Sequence, residues 1–209
     1  MEDMKSLTSR YPGLKNCAED IDKAADMIIE LYKNCGTLYT CGNGGSAADS
    51  DHICGELLKG FIKKRPICDC DKEKFVKTYD DGKKFADNLQ AGLRAVSLHS
   101  QSAFLTAYLN DVDPALVYAQ ALYSLGKPGD VLIAISTSGN SENIVNAAKT
   151  AKIMGIKVIS LTGEKISKLT PLSDINIRVG ESETYRVQEL HLPVYHYICA
   201  KVEDALFDA

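Results

Sequence analysis

The chain has 209 residues, of which 45% are hydrophobic, and its formal net charge at pH 7 is −4. A chain of this length can bury a sizeable core and most often forms one domain. The acidic balance, without a basic run long enough to follow a phosphodiester backbone, excludes nucleic acid as a direct ligand.

Hydrophobic periodicity predicts alternating helices and strands along the chain. An amphipathic helix is predicted over 16–33, followed by a strand at 37–41, a helix over 46–60, a strand at 95–98, a polar helix from about 101, a helix over 114–125, a strand at 131–135, a helix over 141–154, a strand at 157–161, a short helix over 166–172, a strand at 175–179 and a helix from 184 to the C-terminus. Apolar strands separated by helices are typical of a parallel sheet covered on both faces. The predicted fold class is therefore α/β, a doubly wound five-stranded parallel sheet with an N-terminal helix and a long C-terminal helix.

Membrane and secretory locations are not expected. The first residues carry no apolar signal core, and no apolar run approaches membrane-spanning length. The seven cysteines show no disulfide-framework pattern, which makes reduced thiols the default. We therefore predict a cytoplasmic protein.

A loop rich in hydroxyl groups follows the strand at 131–135. Its hydroxyl side chains are Ser136, Thr137, Ser138 and Ser141. Together with glycine-opened backbone amides and the N-terminal end of the next helix, these groups can hold a phosphomonoester without a lysine. An ordinary strand-to-helix turn with a serine cap has the same composition, so this run alone leaves both interpretations open.

A glycine-rich loop follows the strand at 37–41 and reads Gly42-Asn43-Gly44-Gly45-Ser46. Its glycines let a ligand approach the backbone closely, and Ser46 is predicted to cap the next helix. The loop lacks the third glycine of the dinucleotide fingerprint, so no nucleotide cofactor is predicted. Because ligands of such sheets bind beyond the carboxyl ends of the strands, we expect the glycine loop and the hydroxyl loop to line one pocket.

Two predicted helices carry side chains suited to acid-base chemistry or metal binding. His52 and Glu56 are four residues apart and share a helix face, a spacing that can chelate one metal ion but more often makes a surface hydrogen bond. Gln188 and His196 lie in an otherwise apolar helix, offset by about 80° around its axis, and can border one site. For His191 we expect a packed side chain with satisfied polar atoms.

Taken together with Asn110-Asp111, these motifs resemble the phosphoheptose isomerase family of the sugar isomerase (SIS) domain superfamily. The resemblance runs in order along nearly the whole chain. It implies a single phosphosugar-binding SIS domain over 1–209, flavodoxin-like or Rossmann-like. It also implies a homotetramer that converts sedoheptulose 7-phosphate to a heptose 7-phosphate, with an active-site metal that is usually zinc.

The resemblance also implies roles for individual residues. Substrate contacts are implied for Asn43, Gly44, Gly45, Ser46, Asn110, Asp111, Ser136, Thr137, Ser138, Ser141 and Gln188, and zinc ligands for His52, Glu56, Gln188 and His196. Moving a proton between C1 and C2 through an enediol needs a base near both carbons and an acid for the oxygens. We assign Glu56 as the base and His196 as its acid/base partner, although a tightly ligated Glu56 would be the poorer base.

Two features depart from the family pattern. An insertion at about 63–94 adds on the order of twenty residues to a normally short connection and is expected to be a lid, an interface element or a disordered surface loop. His99 follows the strand at 95–98, where it is expected to face the site. These departures keep two alternatives open, an isomerase of a different phosphosugar and a noncatalytic SIS protein that senses a phosphosugar or binds a protein partner. The presence of Glu56 argues against the second, because a binding module needs no base.

Overall fold

The structure is a computed structural model that describes residues 3–207. Five parallel strands form one sheet in the order β2-β1-β3-β4-β5. They are β1 (Leu38–Cys41), β2 (Ala95–Ser97), β3 (Val131–Ile135), β4 (Lys157–Thr162) and β5 (Ile175–Arg178). This order confirms the predicted doubly wound α/β class, with its topological switch point between β1 and β3.

Within residues 3–207, nine α-helices accompany the sheet. They are α1 (Met4–Arg10), α2 (Ala18–Lys33), α3 (Gly45–Leu58), α4 (Asp69–Thr78), α5 (Gly82–Asn88), α6 (Ser102–Asp111), α7 (Val117–Leu125), α8 (Glu142–Ile153) and α9 (Thr184–Leu206). Pro193 lies inside α9. It cannot donate the backbone hydrogen bond that the carbonyl of Glu189 would otherwise accept. Over the described range, no helix has the length and apolar content needed to cross a bilayer.

Strand β3 shows how the sheet separates two apolar cores. Val131, Ile133 and Ile135 point into the cluster formed with α2, α3 and α9. Leu132 and Ala134 point into the cluster formed with α7 and α8. Because successive strand residues face opposite sides, a strand buried on both faces must be apolar at every position, as β3 is.

Several predicted boundaries are corrected by the structure. The helix predicted over 46–60 begins at Gly45, and its N-cap is Gly44, whose φ is 55°. Ser46 is therefore not the cap. It lies buried in the first turn, where its carbonyl accepts a hydrogen bond from the Ser50 hydroxyl. The glycine reaches a positive φ without steric cost, which starts the helix one residue earlier.

Two further predicted helices differ from the structure. The helix predicted over 166–172 is only a 3₁₀ turn at Thr170–Leu172, with a proline in its first turn. The helix predicted over 114–125 starts as a second such turn, Pro114–Leu116, before α7. A proline is tolerated in the first turn of a helix, so Pro114 and Pro171 fit the starts of these two turns. The helix predicted over 16–33 starts at Ala18, after the 3₁₀ turn Pro12–Cys17, and α1 was not predicted.

The segment 63–94 is a helical hairpin rather than an irregular loop. Helices α4 and α5 pack together, and the rings of Phe75 and Phe85 stack with their centroids 5.2 Å apart. No residue of α4 is buried. The base of the hairpin is closed by a bridge between Pro66 and Gln90. The hairpin is thus attached to the sheet domain at its base and contributes little to the two cores.

A buried ion pair ties the start of this hairpin to α9. Arg65 Nε donates to Glu203 Oε1 at 2.7 Å, and neither side chain is more than 1% exposed. The same carboxylate accepts the backbone N–H groups of 61–63 at 2.8–2.9 Å. The Arg65 guanidinium also donates to the carbonyls of Leu57 and Glu56, at the C-terminal end of α3. Buried charges persist in a fold when their hydrogen-bonding capacity is filled in this way.

The ionised state of Glu203 stabilises the fold. Burial acts to raise the pKa of Glu203, but the backbone N–H donors and Arg65 outweigh burial and hold it below its ordinary value. A lowered folded pKa adds stability above the unfolded pKa of glutamate, about 4.3, and that contribution is lost as the pH falls through the folded value. The ion pair between Arg65 and Glu203 should therefore weaken only at acidic pH.

We expect Glu203→Ala to reduce the free energy of unfolding by about 3–5 kcal/mol, because Arg65 would remain as a buried charge without its partner. Urea unfolding at neutral pH measures the change. Glu19→Ala is the control, since it removes the exposed partner of Lys23 and should hardly move the midpoint. Equal midpoints for the two variants would show that the buried pair does not hold the fold together.

Candidate active site

The glycine loop contacts the first turn of α8, which follows the hydroxyl loop, at the carboxyl edge of the sheet. Asn43, in the glycine loop, and Asn143, in the first turn of α8, exchange two side-chain hydrogen bonds of 2.9 Å each. The Tyr118 hydroxyl supports the glycine loop from α7 by donating to the Gly42 carbonyl at 2.9 Å. The two loops follow β1 and β3, so they border the switch point at which ligands of this fold class bind.

The hydroxyl loop turns sharply at Gly139, whose φ is 64°. Its amide donates to the Ser136 carbonyl at 2.9 Å, which closes the turn. The Ser136 hydroxyl is buried and lies 3.1 Å from the Ser141 hydroxyl. Ser138 is exposed, and its hydroxyl oxygen accepts the Asn140 N–H at 3.2 Å. The loop therefore presents several hydroxyl groups next to the start of a helix.

The N-terminal end of α8 completes this arrangement. Ser141 is the N-cap, but its hydroxyl makes no capping hydrogen bond to the helix. The Ile144 N–H is taken by the Asn143 side chain, 3.0 Å away. Helix N-termini attract anions because their first N–H groups lack intrahelical acceptors and the helix dipole is positive there. The hydroxyls and the helix end together suit a phosphate group.

A second cluster joins α3 and α9. His52 Nε2 lies 3.1 Å from Glu56 Oε1 and 3.4 Å from His196 Nε2. Glu56 Oε2 accepts a hydrogen bond from Lys59 Nζ at 3.0 Å. The Glu56 side chain is 15% exposed, whereas that of Lys59 is 59% exposed. Glu56 thus contacts His52 with one oxygen and a solvent-exposed ammonium group with the other.

The surroundings of this cluster favour a neutral His196. Burial lowers the pKa of His196 first, and the neighbouring His52 lowers it further, while Glu56 acts in the opposite direction. A neutral imidazole has a lone pair on one nitrogen and can accept a proton or bind a metal there. His196 can therefore serve either as a base or as a ligand.

His191 only partly matches its expectation. It is fully buried, as predicted for a packed side chain, but neither ring nitrogen has a hydrogen-bond partner among residues 3–207. Burial lowers the pKa of His191 to about 4, against a smaller raising effect of the Thr162 backbone. The ring is therefore neutral at physiological pH, and its polar atoms are not satisfied as expected.

Gln188 lies further along the same pair of helices. An atom in the place of a Cβ on Gly45 would lie 2.6 Å from Gln188 Nε2, so Gln188 occupies the space that this glycine leaves open at the start of α3. No hydrogen bond joins Gln188 to His52, Glu56 or His196 within the described range. The structure therefore brings three of the four predicted ligands together and holds the fourth at the glycine loop.

Asn110 and Asp111 form the end of α6, and the Asn110 amide donates to the Asp111 carboxylate at 2.8 Å. In the part of the chain that the structure describes, no hydrogen bond or ion pair connects them to the hydroxyl loop or to Glu56.

His99 lies 2.8 Å from the Ser97 hydroxyl through Nδ1 and 3.0 Å from the Asp51 carboxylate of α3 through Nε2.

The arrangement fits a metal ion in part. No three His, Cys, Asp or Glu side chains of residues 3–207 form a group that could hold a metal ion. The Nε2 atoms of His52 and His196 are nevertheless 3.4 Å apart. Bonds of about 2.0–2.1 Å around tetrahedral zinc place neighbouring nitrogen ligands roughly 3.3 Å apart. The two histidines therefore have the spacing of a pair of zinc ligands.

Sequence reasoning missed several residues of the site. Tyr195 lies in the helix that was predicted to be otherwise apolar, yet its hydroxyl lies 3.0 Å from His52 Nδ1. Asp49 follows the glycine loop in α3 and was assigned no role, and it accepts a hydrogen bond from Tyr195 at 3.2 Å. Asn143, just after the hydroxyl loop, was likewise assigned no role. Only their partners in the fold reveal what these polar groups contact.

Known proteins resemble this chain in both sequence and fold. The SIS domain family model matches residues 4–72 and 84–163, so its gap falls within the α4–α5 hairpin. A phosphoheptose isomerase of Mycobacterium tuberculosis is 39% identical over 182 residues, which cover 87% of this chain and 80% of that protein. The solved structure of a phosphoheptose isomerase from Neisseria gonorrhoeae has a TM-score of 0.75 at 30% identity, covering 95% of this chain and 93% of that one. Another, from Francisella tularensis, has a TM-score of 0.76 at 26% identity, covering 95% and 92%.

We expect Gly45→Ala to displace the Gln188 side chain and to gain less stability than an unhindered glycine-to-alanine change in the same helix, because the new methyl group would overlap Gln188 Nε2. Gly55→Ala in the same helix is the matched control. A Cβ there meets nothing within 4 Å, and alanine favours a helix by up to about 1 kcal/mol over glycine. Thermal unfolding of both variants measures the difference. A Gly45→Ala protein as stable as Gly55→Ala would contradict the close packing of Gln188.

Proposed function

The chain belongs to the phosphoheptose isomerases of the SIS domain family, and on this basis we propose that it converts sedoheptulose 7-phosphate to D-glycero-D-manno-heptose 7-phosphate. One observation carries the proposal: a carboxylate and two imidazoles meet in a cluster on α3 and α9, while a loop suited to phosphate lies at the same edge of the sheet. The two alternatives, an isomerase of a different phosphosugar and a noncatalytic sensor or protein-binding protein, are less well supported by these relatives.

Glu56 is proposed as the base that moves the proton between the two carbons. Its carboxylate takes the proton from C1 of the ketose, the C1–C2 double bond forms, and the C2 oxygen gains a proton. The resulting enediol then loses the O1 proton, and C2 receives the proton held by Glu56, which gives the aldose. His196 is proposed as the acid/base partner that exchanges protons with the two oxygens, and the lowered pKa of His196 favours the step in which it accepts a proton.

The two oxygens of Glu56 support a division of roles. Oε1 faces His52, and Oε2 faces Lys59. The Lys59 side chain is 59% exposed, so water can solvate its ammonium group when substrate takes its place beside Glu56. We propose that Oε2 abstracts the proton while Oε1 remains with the histidines. This arrangement would ease the conflict between binding a metal and acting as a base.

The substrate phosphate is proposed to bind at the hydroxyl loop. Ser136, Thr137, Ser138 and Ser141 would donate to its oxygens, together with the N-terminal end of α8. Asn43, Gly44, Gly45, Ser46, Asn110, Asp111 and Gln188 remain proposed contacts of the sugar. Binding of the distant phosphate supplies free energy that orients the reacting carbons.

Zinc is proposed as the metal, held by His52, Glu56 and His196, with Gln188 as the fourth ligand. The imidazole spacing supports the two histidines. When bound, zinc would polarise the substrate carbonyl and stabilise negative charge on its oxygen. We further propose, from the family, a cytoplasmic homotetramer in which residues 1–209 form one phosphosugar-binding domain with an insertion at about 63–94.

We expect turnover of sedoheptulose 7-phosphate by metal-stripped protein to rise when zinc is added. A coupled assay for the aldose heptose phosphate, run with and without zinc, measures it. Equal turnover with and without zinc would support the proposed isomerase reaction but contradict a catalytic role for the metal. No turnover under either condition would overturn the proposed reaction and favour another phosphosugar or a sensor.

We expect Glu56→Gln to lower kcat by about 10²–10⁴-fold, because the amide cannot take the proton from carbon. Substrate binding should persist, since the phosphate loop is unchanged, and calorimetric titration with substrate measures it. Glu30→Gln is the control, because Glu30 is an exposed carboxylate of α2 that pairs with Lys33 far along the chain from the site. Unchanged kcat in Glu56→Gln would rule out Glu56 as the base.

A further inference from the structure

A hydrogen-bonded pair lies behind His52, on the side away from Glu56. The Tyr195 hydroxyl is 3.0 Å from His52 Nδ1 and donates to Asp49 Oδ1 at 3.2 Å. Tyr195 is only 2% exposed. The second carboxylate oxygen of Asp49 is buried, without a hydrogen-bond partner among residues 3–207. The roles assigned above to the site leave this pair unused.

The number of available hydrogens fixes the direction of the hydrogen-bond chain that runs from His52 through Tyr195 to Asp49. A tyrosine hydroxyl carries one hydrogen, and an ionised carboxylate can only accept. When Tyr195 donates to Asp49, its oxygen can serve His52 only as an acceptor, so His52 Nδ1 must carry a hydrogen. In a neutral imidazole the other nitrogen, Nε2, then has a lone pair.

That lone pair faces other acceptors. His52 Nε2 lies 3.1 Å from Glu56 Oε1 and 3.4 Å from His196 Nε2. A carboxylate oxygen has no hydrogen to offer, so the contact between Nε2 and Oε1 is favourable only when a proton or a metal cation is bound at Nε2 or beside it. The hydrogen-bond chain therefore prepares His52 for a positively charged partner.

We propose that Asp49 and Tyr195 are positioning residues that hold His52 as the tautomer with its hydrogen on Nδ1 and thereby present Nε2 to zinc. The inference rests on the proposed function, because it concerns the same metal site. Ligand histidines commonly donate their other ring N–H to a carboxylate or another acceptor, which fixes the tautomer and the ring orientation. Here a tyrosine is inserted between the carboxylate and the histidine.

The Tyr195 ring also sets the orientation of both histidines. It meets the His52 ring at 69° with a centroid distance of 5.3 Å, and the His196 ring at 84° and 5.0 Å. The two histidine rings are themselves nearly perpendicular, at 81° and 4.9 Å. Edge-to-face contacts of this kind define ring planes as well as distances. The hydroxyl and the ring thus have separable effects, which an experiment can distinguish.

Tyr195→Phe keeps the ring and removes the hydroxyl. We expect it to weaken zinc binding by about 10–100-fold, measured by competition with a chromophoric chelator on the full-length protein. Asp49→Asn should weaken zinc binding as well, because its amide can donate to the Tyr195 oxygen and so reverse the chain, leaving the hydrogen on His52 Nε2. Asp51→Asn is the matched control, since Asp51 lies in the same helix but contacts His99. Its zinc affinity should equal that of the wild type.

The tautomer itself is observable without metal. In ¹⁵N-labelled, metal-free protein at mildly alkaline pH, the ring nitrogens of His52 should report a hydrogen on Nδ1 in the wild type and in Asp51→Asn. In Asp49→Asn they should report it on Nε2. Circular dichroism and thermal unfolding check that each variant is folded.

The outcomes separate the two proposals. Wild-type protein that binds no zinc but shows the Nδ1–H tautomer would contradict the metal site while supporting the hydrogen-bond chain. Zinc binding that is equally tight in the wild type, Tyr195→Phe and Asp49→Asn would overturn the positioning role. A wild-type His52 with its hydrogen on Nε2 would overturn it as well.

Discussion

The site depends on the packing of α3 against α9. Gly45 contacts Gln188, His52 contacts His196, and the segment after α3 is bound by Glu203, so the two helices run side by side in the same direction. One helix follows the first strand and the other ends the described chain. A contact between elements so distant in sequence creates the chemical cluster, which neither helix contains alone.

Stability and chemistry are coupled at the C-terminal end of α3. The Arg65 guanidinium binds the carbonyls of Glu56 and Leu57 while it pairs with Glu203. The backbone that carries the proposed base is therefore fixed by a buried charge network rather than by the apolar cores alone. Rigid support of this kind keeps a reacting group within a few tenths of an ångström of its working position.

The fold was largely predictable because apolar strands and helical periodicity are local signals. The hydroxyl loop and the pair His52 and Glu56 could also be read from local spacing. Tyr195 could not, because an aromatic residue in an apolar helix is normally core, and its hydroxyl gains a role only through Asp49 and His52. The N-cap at Gly44 was not predicted, because Ser46 is a common N-cap residue and the positive φ of Gly44 is a property of the folded backbone.

Pro193 divides α9 between Gln188 and His196. Because the proline has no N–H, the helix lacks one rung of its hydrogen-bond ladder at this point, and such points are where helices bend at least cost. The missing hydrogen bond falls between Gln188 and His196, whereas Glu203, further along, is held by Arg65. The helix ladder is therefore weakest in the middle of the proposed ligand set and firmly anchored beyond it.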